Sequence, residues 1–267
     1  MTRPYAEVIG DPIAQSKSPA IHGFWIDRLG IDADYRAYHV RPGELRDYLG
    51  KRRSDRSWRG SNVTMPHKQT VMPLLDQIDP AAARIGAVNT IIPETGGLTG
   101  YNTDAPGFLE PLGERRFASV TVIGAGGAAR AILAALADRK TGWVSLQNRS
   151  VGKGEALLAE FGLTGCVVEP GGEVPTSELL INTSSLGMAG FPPMPPVERG
   201  VMDGGIVYDI VTTPLVTDLL TAASARGLQT IDGLSMLIGQ AAVAFEKFFG
   251  VPAPREHDAE LRRILLA

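Results

Sequence analysis

Short apolar runs alternate with amphipathic, helix-like runs along the whole chain of 267 residues. The first run, Tyr5–Gly10, predicts a strand. Ser18 and Pro19 then mark the start of a helix, as its N-cap and its first helical residue. An apolar stripe spaced i, i+4, i+8 supports this helix, which is expected to end at Gly30. The stripe consists of Ile21, Trp25 and Leu29.

The same alternation continues through both halves of the chain and indicates an α/β fold with parallel sheets. In the first half the predicted strands are residues 36–40, 61–65 and 87–92, and Pro66 starts a further helix. In the second half the predicted strands are residues 120–123, 144–146, 179–181, 206–208 and 228–231, with an alanine-rich helix over residues 128–137. A last helix begins near Leu234, and its apolar face is expected to return to the first domain.

These elements predict two domains. The first is an N-terminal α/β domain over residues 1–104, completed by residues 234–267. The second is a Rossmann-like, doubly wound domain over residues 105–233.

Composition narrows the classes of function. The net charge of −3 gives no strong positive field, so neither nucleic acid nor an anionic membrane is an expected partner. Cys166 is the only cysteine, and no internal disulfide can form. The four histidines lack the spacing of metal ligands, so no metal site is expected. No apolar run approaches the roughly 20 residues of a membrane span and no signal peptide is evident, which predicts a cytoplasmic protein.

The stretch from Gly124 to Ala129 fits the pattern G-x-G-x-x-A between a predicted strand and a predicted helix. Small residues there allow a tight turn and close approach of a pyrophosphate, and the helix N-terminus offers free N–H groups. The pattern therefore predicts a dinucleotide site, the alternative being a glycine-rich turn that binds nothing. The expected contacts are Gly124, Ala125, Gly126, Gly127 and Ala128.

The turn after the next predicted strand distinguishes NAD from NADP. NAD-binding folds usually place a carboxylate there to bind the ribose 2′-hydroxyl. This chain instead has Asn148, Arg149 and Ser150, followed by Lys153. Arg149 could hold a 2′-phosphate through charge-assisted hydrogen bonds, so NADP(H) is the expected cofactor. The alternative is that Arg149 and Lys153 are surface cations on the following helix.

Two hydroxyl groups and one amine in the first half of the chain are candidates for substrate binding and proton transfer. Ser16 and Ser18 lie at a predicted helix N-terminus, which suits a carboxylate, although Ser18 is equally explained as a cap. Lys68 falls in the first turn of another predicted helix, where the macrodipole disfavours a cation. Such a lysine can act as a general acid or base, and the alternative is an exposed lysine.

Three further polar side chains stand in apolar or capping positions. Asn89 lies inside a predicted apolar strand, where its amide needs a partner. Asp104 precedes Ala105 and Pro106 and is either a helix N-cap or a functional carboxylate. Gln240 shares a predicted helix face with apolar residues, which favours a position in a cleft over exposure to solvent.

Together these segments resemble the shikimate dehydrogenase family, and the resemblance covers nearly the whole chain. The matching stretches are GDPIAQSKSP, NVTMPHK, GAVNT, NTD, GAGGAAR, NRS, INTSSLGM and DGLSMLIGQA. The resemblance implies a small-molecule substrate and the reversible reduction of 3-dehydroshikimate to shikimate by NADPH. This is a step towards chorismate and the aromatic amino acids. A monomer or homodimer is expected.

The resemblance also implies roles for individual residues. Lys68 and Asp104 match the catalytic pair of the family, and Ser16 and Ser18 match the hydroxyls that hold the substrate carboxylate. Further substrate contacts would come from Asn62, Thr64, Asn89, Asn102 and Gln240. The NADP site would be lined by residues 124–128, Asn148, Arg149, Ser150, Lys153, Thr183, Ile210, Gly233 and Met236.

Two positions depart from the family pattern. Thr212 stands where the family usually has a tyrosine that reaches the substrate, and Ala105 replaces the usual glycine after Asn-Thr-Asp. Because Thr212 is shorter and has no ring, the preferred substrate stays open between shikimate and a related acid such as quinate.

Three other functions remain as alternatives. One is a dehydrogenase of quinate or another shikimate-like hydroxy acid, with NAD as its cofactor. Another is a different NADP enzyme, such as a methylenetetrahydrofolate dehydrogenase, against which the serine pair and Asp104 argue. The third is a module that senses a nucleotide without turnover, and the presence of both Lys68 and Asp104 argues against it.

Overall fold

The computed structural model describes residues 3–266, and the chain divides into two compact units. Unit 1 comprises Met1–Asp104 with Ile238–Ala267, and unit 2 comprises Ala105–Leu237. The first boundary coincides with the expected domain boundary, and the second falls after Leu237 rather than after Gly233. Both units are α/β, as the alternation of strand and helix patterns predicts.

Strands and helices alternate along the described chain. The strands are β1 (Tyr5–Gly10), β2 (Asp34–His39), β3 (Trp58–Val63), β4 (Gln77–Ile78), β5 (Thr90–Glu94), β6 (Gly97–Tyr101), β7 (Ser119–Ile123), β8 (Trp143–Gln147), β9 (Gly165–Val168), β10 (Ser177–Asn182), β11 (Val201–Asp209) and β12 (Gln229–Ile231). The helices are α1 (Ser18–Leu29), α2 (Leu45–Arg53), α3 (His67–Thr70), α4 (Pro80–Ile85), α5 (Asp104–Leu109), α6 (Gly127–Asp138), α7 (Val151–Glu160), α8 (Asp218–Ala225), α9 (Gly233–Phe249) and α10 (Asp258–Leu266).

The sheet of unit 1 has the strand order β2-β1-β3-β5-β6-β4. Strand β1 is parallel to β2 and β3, whereas β5 is antiparallel to both β3 and β6. Side chains such as Ile9, Trp58, Val63 and Ile91 form its core. The carboxyl ends of β1 and β3 therefore lie at the same edge of the sheet and bring the segments that follow them together.

Helix α1 begins one residue earlier than predicted. Lys17 occupies the N-cap position and makes no side-chain cap, so Ser18 is the first helical residue rather than the cap. Gly30 ends the helix in the left-handed conformation, with φ at 61°. Trp25 is fully buried, but Leu29 at the end of the predicted stripe is 42 % exposed.

Several strand predictions for the sheets need correction. Residues 87–89 lie outside β5, and residues 64–65 lie outside β3. Strands β4, β6 and β9 are additional to the predicted set. Strand β6 reads GLTGY, and two glycines in five residues give it little intrinsic strand propensity. It forms because it pairs with β5 along its whole length.

The apolar face of α9 packs on the first domain, which confirms the prediction for the last helix. The ring centroid of Phe245 lies 5.4 Å from that of Trp25 and 5.8 Å from that of His22. Phe248 lies 6.2 Å from Tyr35. This aromatic cluster joins α1, β2 and α9 into one core.

Unit 2 contains a fully parallel sheet with the order β12-β11-β10-β7-β8-β9. Numbered from β7, this is the doubly wound order 3-2-1-4-5-6, with its topological switch point between β7 and β10. Ligands of such sheets bind at the carboxyl ends of the strands beside the switch point. No helix within residues 3–266 is long and apolar enough to cross a membrane.

Candidate active site

Lys68 and Asp104 form an ion pair in unit 1, with Nζ of the lysine 2.6 Å from Oδ2 of the carboxylate. The lysine backbone carbonyl accepts the N–H of Val88 at 2.7 Å, which holds the segment before β5 beside α3. The lysine side chain is 19 % exposed and the carboxylate 6 %. The amine therefore reaches the surface of the site, and the carboxylate supports it from inside.

Asn89 orients the carboxylate of this pair. Its Nδ2 donates to Oδ1 of Asp104 at 2.8 Å and to Oγ1 of Thr103 at 2.9 Å, and its Oδ1 accepts the backbone N–H of Thr103 at 2.8 Å. Oε1 of Gln240 lies 3.4 Å from the same Nδ2 and 3.3 Å from the Thr103 hydroxyl. Both oxygens of Asp104 are thus engaged, one by an amide and one by an amine.

The structure corrects three expectations about these residues. Helix α3 is a single turn, too short for a sizeable macrodipole, so Asp104 rather than the helix sets the surroundings of Lys68. Asn89 precedes β5 and does not lie within it. Asp104 is the first residue of α5, and its carboxylate contacts Lys68 and Asn89 instead of capping the helix.

Three hydroxyls lie in the segments that follow β1 and β3. Ser16 is half-buried, and its Oγ accepts the backbone N–H of Ser18 at 3.3 Å. Ser18 is buried, at 6 % exposed. The hydroxyl of Thr64 is half-buried and makes no hydrogen bond within residues 3–266. Ser16 and Thr64 therefore keep a hydroxyl proton for a ligand.

Two of the predicted substrate contacts are used by the fold itself. Asn62, buried in β3, accepts the phenol of Tyr35 at 2.6 Å and donates to Oγ1 of Thr90 at 3.1 Å. Asn102 donates to the carbonyl of Ala87 at 2.9 Å and accepts the N–H of the residue two positions later at 3.0 Å. Both amides therefore hydrogen-bond within the fold, and their contact with the substrate stays a prediction.

In unit 2 the turn after β7 lies at the topological switch point. Gly124 adopts φ of 101°, a conformation that favours glycine. A Cβ atom there would lie 2.9 Å from Oγ1 of Thr183 and 3.2 Å from the backbone nitrogen of Ser184. The Thr183 hydroxyl donates to the carbonyl of Ile123 at 2.7 Å and so packs the start of this turn tightly.

The turn leads directly into the N-terminus of α6. Gly126 is the N-cap residue and supplies no side-chain partner, and a Cβ atom at this position would meet no atom within 4 Å. Ala125 is buried, whereas Gly127 and Ala128 are half-exposed. The N-terminus of α6 therefore has no side-chain cap, which suits it to a phosphate group.

The turn after β8 lies beside the glycine-rich turn, because the N–H of Gly124 donates to the last carbonyl of β8 at 2.9 Å. Asn148 closes this second turn by donating to the carbonyl of Ser150 at 2.8 Å. The side chains of Arg149 and Lys153 are exposed, and neither forms an ion pair within the described chain. Two uncompensated cations therefore lie next to the predicted pyrophosphate position.

The loop after β11 gathers the remaining predicted residues of unit 2. Ile210 and Thr212 are half-buried on this loop. Gly233 packs against it so closely that a Cβ atom would lie 2.5 Å from the carbonyl oxygen of Ile210. Met236 follows in the first turn of α9 and is 6 % exposed. The side chain of Thr212 makes no hydrogen bond within residues 3–266.

Sequence reasoning missed a buried carboxylate that ties the loops of unit 2 together. Asp209 ends β11 and accepts hydrogen bonds from Asn182 at 2.9 Å, from the N–H of Val211 at 3.1 Å and from the hydroxyl of Thr217 at 2.7 Å. Burial raises the pKa of Asp209 above its usual value, against the lowering effect of these bonds. A carboxylate at the end of an apolar strand is the signal that could have revealed it.

Within residues 3–266, no cluster of three His, Cys, Asp or Glu side chains could hold a metal ion. The polar groups of the candidate site in unit 1 are instead hydroxyls, amides and the pair of Lys68 and Asp104. Such a set can bind a hydroxylated carboxylic acid and transfer a proton.

Comparisons with known proteins point in the same direction. Residues 8–91 match the family described as shikimate dehydrogenase substrate binding domain, and residues 233–260 match the shikimate 5′-dehydrogenase C-terminal domain. A shikimate dehydrogenase (NADP(+)) of Sphingopyxis alaskensis is 56 % identical over 99 % of this chain and 97 % of its own length.

Solved structures give a similar result. The shikimate 5-dehydrogenase of Thermus thermophilus, in complex with NADP(H) and shikimate, is similar with a TM-score of 0.85 and 35 % identity, over 98 % of this chain and 100 % of that one. The quinate dehydrogenase of Corynebacterium glutamicum, in complex with NAD, has a TM-score of 0.87 and 28 % identity, over 98 % of this chain and 99 % of that one.

Proposed function

The chain belongs to the shikimate dehydrogenase family, and on that premise we propose that it catalyses the reversible, NADPH-dependent reduction of 3-dehydroshikimate to shikimate. The observation that carries the proposal is the ion pair of Lys68 and Asp104, held by Asn89 in unit 1. This unit includes the segment that matches a substrate binding domain. Unit 2 contributes the residues for the dinucleotide.

The proposed chemistry divides between cofactor and protein. Bound NADPH supplies the hydride. The Lys68 amine donates a proton to the oxygen of the substrate carbonyl, and it accepts the proton back from the shikimate hydroxyl in the reverse direction. Asp104 holds the amine at 2.6 Å, and Asn89 holds the carboxylate at 2.8 Å. This arrangement reduces the freedom of the proton donor before the substrate arrives.

Separate groups are proposed to bind the carboxylate and the ring hydroxyls of the substrate. We assign Ser16 and Ser18 to the substrate carboxylate, because both lie at the N-terminus of α1 and neither is its N-cap residue. Thr64 and Gln240 are assigned to the ring hydroxyls. Asn89 is assigned to Asp104, because its amide already hydrogen-bonds Asp104 and Thr103 within the fold. The amides of Asn62 and Asn102 were also expected to contact the substrate. We assign them to the support of the site, because their hydrogen bonds are made within the fold.

The residues of unit 2 fit NADP. Residues 124–128 leave space for a pyrophosphate at the N-terminus of α6, and Arg149 would hold the 2′-phosphate with Ser150 and Lys153 nearby. Asn148 shapes that turn. Thr183, Ile210, Gly233 and Met236 would line the nicotinamide end, because they surround the carboxyl ends of β10 and β11.

The test is a set of initial-rate measurements with shikimate and quinate, each with NADP and NAD, followed through the near-ultraviolet absorbance of the reduced cofactor. We expect the highest kcat/KM for shikimate with NADP. Failure to reduce NADP with shikimate would overturn the proposal.

Quinate with NAD is the second candidate. Thr212, in place of the usual tyrosine, leaves room for a more hydroxylated acid, and a quinate dehydrogenase is among the similar structures. A higher kcat/KM for quinate than for shikimate would favour this candidate and would leave the roles of Lys68 and Asp104 unchanged.

We also propose that the enzyme works in the cytoplasm, as a monomer or homodimer and without a nucleic-acid partner. The net charge of −3 supports the last point. Light scattering and fractionation of cells would test the assembly and the location.

A further inference from the structure

A chain of buried hydrogen bonds runs from Tyr35 in β2 to the catalytic pair of unit 1. The phenol donates to Oδ1 of Asn62 at 2.6 Å, and Nδ2 of Asn62 donates to Oγ1 of Thr90 at 3.1 Å. The Thr90 hydroxyl donates to Oδ1 of Asn89 at 3.0 Å, and Nδ2 of Asn89 donates to Asp104 at 2.8 Å. Between Tyr35 and Asp104, each side chain accepts one hydrogen bond from the group before it and donates one to the group after it.

The direction of this chain is fixed at its centre. The backbone N–H of Thr103 can only donate, and it lies 2.8 Å from Oδ1 of Asn89. That contact identifies the carbonyl end of the amide, so the Nδ2 end must face Asp104. The Thr90 hydroxyl accepts a hydrogen bond from Asn62 and donates its own to Oδ1 of Asn89. Hydrogen bonds aligned in this way polarise one another and strengthen the last bond.

The ring of Tyr35 packs among other aromatic rings, where a phenylalanine ring would pack equally well. The ring stacks on His22 with 3.9 Å between centroids and 2° between planes, beside Phe248. His22 is fully buried, which lowers its pKa to about 3, so it adds no charge at neutral pH. Burial also raises the pKa of Tyr35 well above its usual value, which keeps the phenol protonated and able to donate.

We propose that Tyr35 and Thr90 are positioning residues, whose hydroxyls orient Asp104 towards Lys68 through the amides of Asn62 and Asn89. The proposal deepens the proposed function and rests on it. Neither residue needs to touch the substrate.

Tyr35→Phe removes only the first donor, and Tyr48→Phe is its matched control. Tyr48 is also a buried tyrosine of unit 1, but its hydroxyl contacts Glu7 and Ser61, which do not belong to this series of hydrogen bonds. We expect Tyr35→Phe to lower kcat about 2- to 12-fold, the range of one neutral hydrogen bond, with a smaller change in KM. Tyr48→Phe should change neither.

Thr90 provides a second, independent variant. Thr90→Val keeps the shape of the side chain and removes the hydroxyl, whereas Thr90→Ser keeps the hydroxyl. We expect Thr90→Val to lower kcat by a similar factor and Thr90→Ser to restore most of it. Equal losses in the two variants would overturn the inference, since they would reflect packing alone.

A measurement without turnover separates this inference from the proposed function. Acetylation of Lys68 by acetic anhydride, followed by mass spectrometry, reports how firmly the amine is held. We expect faster acetylation in Tyr35→Phe than in Tyr48→Phe, whatever the substrate proves to be. Identical acetylation rates and identical values of kcat in these two variants would overturn the inference. An inactive wild type with altered acetylation would contradict only the proposed function.

Discussion

Lys68 carries the proton transfer of the proposed reaction, so its replacement is the most direct test of a single side chain. Lys68→Met should lower kcat by about 10²- to 10⁴-fold, the usual effect of losing a general acid–base, and should change KM much less. Asp104→Ala should also be severely impaired, because the amine then loses its partner at 2.6 Å. Steady-state kinetics would measure both variants. Lys51→Met, which replaces an exposed lysine in α2, is the control. Near-normal turnover in Lys68→Met would contradict the assignment.

Arg149 tests the choice of cofactor. Arg149→Ala should weaken binding of NADP about 10- to 150-fold, because it removes one charge-assisted interaction of about 1.5–3 kcal/mol. Binding of NAD, which has no 2′-phosphate, should change little. Fluorescence titration with both cofactors would measure this, with Arg116→Ala as an exposed control cation in the same unit. Equal weakening of the two cofactors would mean that Arg149 reads no phosphate.

Thr212 tests the choice of substrate. A tyrosine at this position would return a ring and a phenolic hydroxyl to the loop after β11. Thr212→Tyr should lower KM for shikimate about 2- to 12-fold, the value of one neutral hydrogen bond, and leave quinate unchanged or worse. Initial rates with both acids would decide. A lower KM for quinate alone would mean that residues other than Thr212 determine the specificity for shikimate.

Among the elements, the carboxyl ends of β10 and β11 depend on one buried carboxylate. Asp209 joins Asn182 to Thr217 and so holds two loops that the proposal assigns to NADP. Its pKa in the folded chain is raised, so the folded state binds this proton more tightly than the unfolded state. The carboxyl group therefore contributes stability below its unfolded pKa, and this contribution is lost as the pH rises through its folded value.

Asp209→Asn removes this titration, which gives a prediction for stability. The free energy of unfolding of the wild type, relative to Asp209→Asn, should fall as the pH rises through the acidic range. Urea unfolding of both proteins at a series of acidic pH values would measure the difference. A difference that stays constant or grows with pH would show that hydrogen bonds outweigh burial at this carboxylate.

At the scale of the whole molecule, the chain returns to unit 1 after completing unit 2. Phe245 is fully buried and Phe248 is 4 % exposed, and both pack against α1 and β2. Losing a buried phenylalanine side chain costs about 3–5 kcal/mol, and two such losses approach the whole stability of about 5–15 kcal/mol for a typical domain.

Removal of the C-terminal segment should therefore affect the two units unequally. A chain ending at Leu237 should lose the near-ultraviolet circular dichroism of Trp25 and Trp58, because unit 1 loses α9 and α10. Binding of NADP by unit 2 should persist. A chain ending at Gly250 keeps both phenylalanines and should retain most of the signal. Native-like circular dichroism in the shorter chain would contradict this account of unit 1.

Local sequence patterns determined the fold class and the candidate chemistry of this protein. The period of apolar residues predicted strands such as β1, β7 and β10, because it reports which face of an element is buried. The run from Gly124 to Ala128 predicted a turn and a helix N-terminus, since only small residues permit that backbone. Strands β4, β6 and β9 escaped prediction because pairing with a neighbouring strand, not propensity, stabilises them.

Only the tertiary structure decided which polar groups meet. Lys68 and Asp104 are 36 residues apart, and Asn89 and Gln240 are 151 apart, yet each pair is in contact. It was also packing that brought Asn62 in β3 against Tyr35 in β2. A sequence pattern records the period of burial along one element, and a hydrogen bond between distant elements depends on how those elements pack.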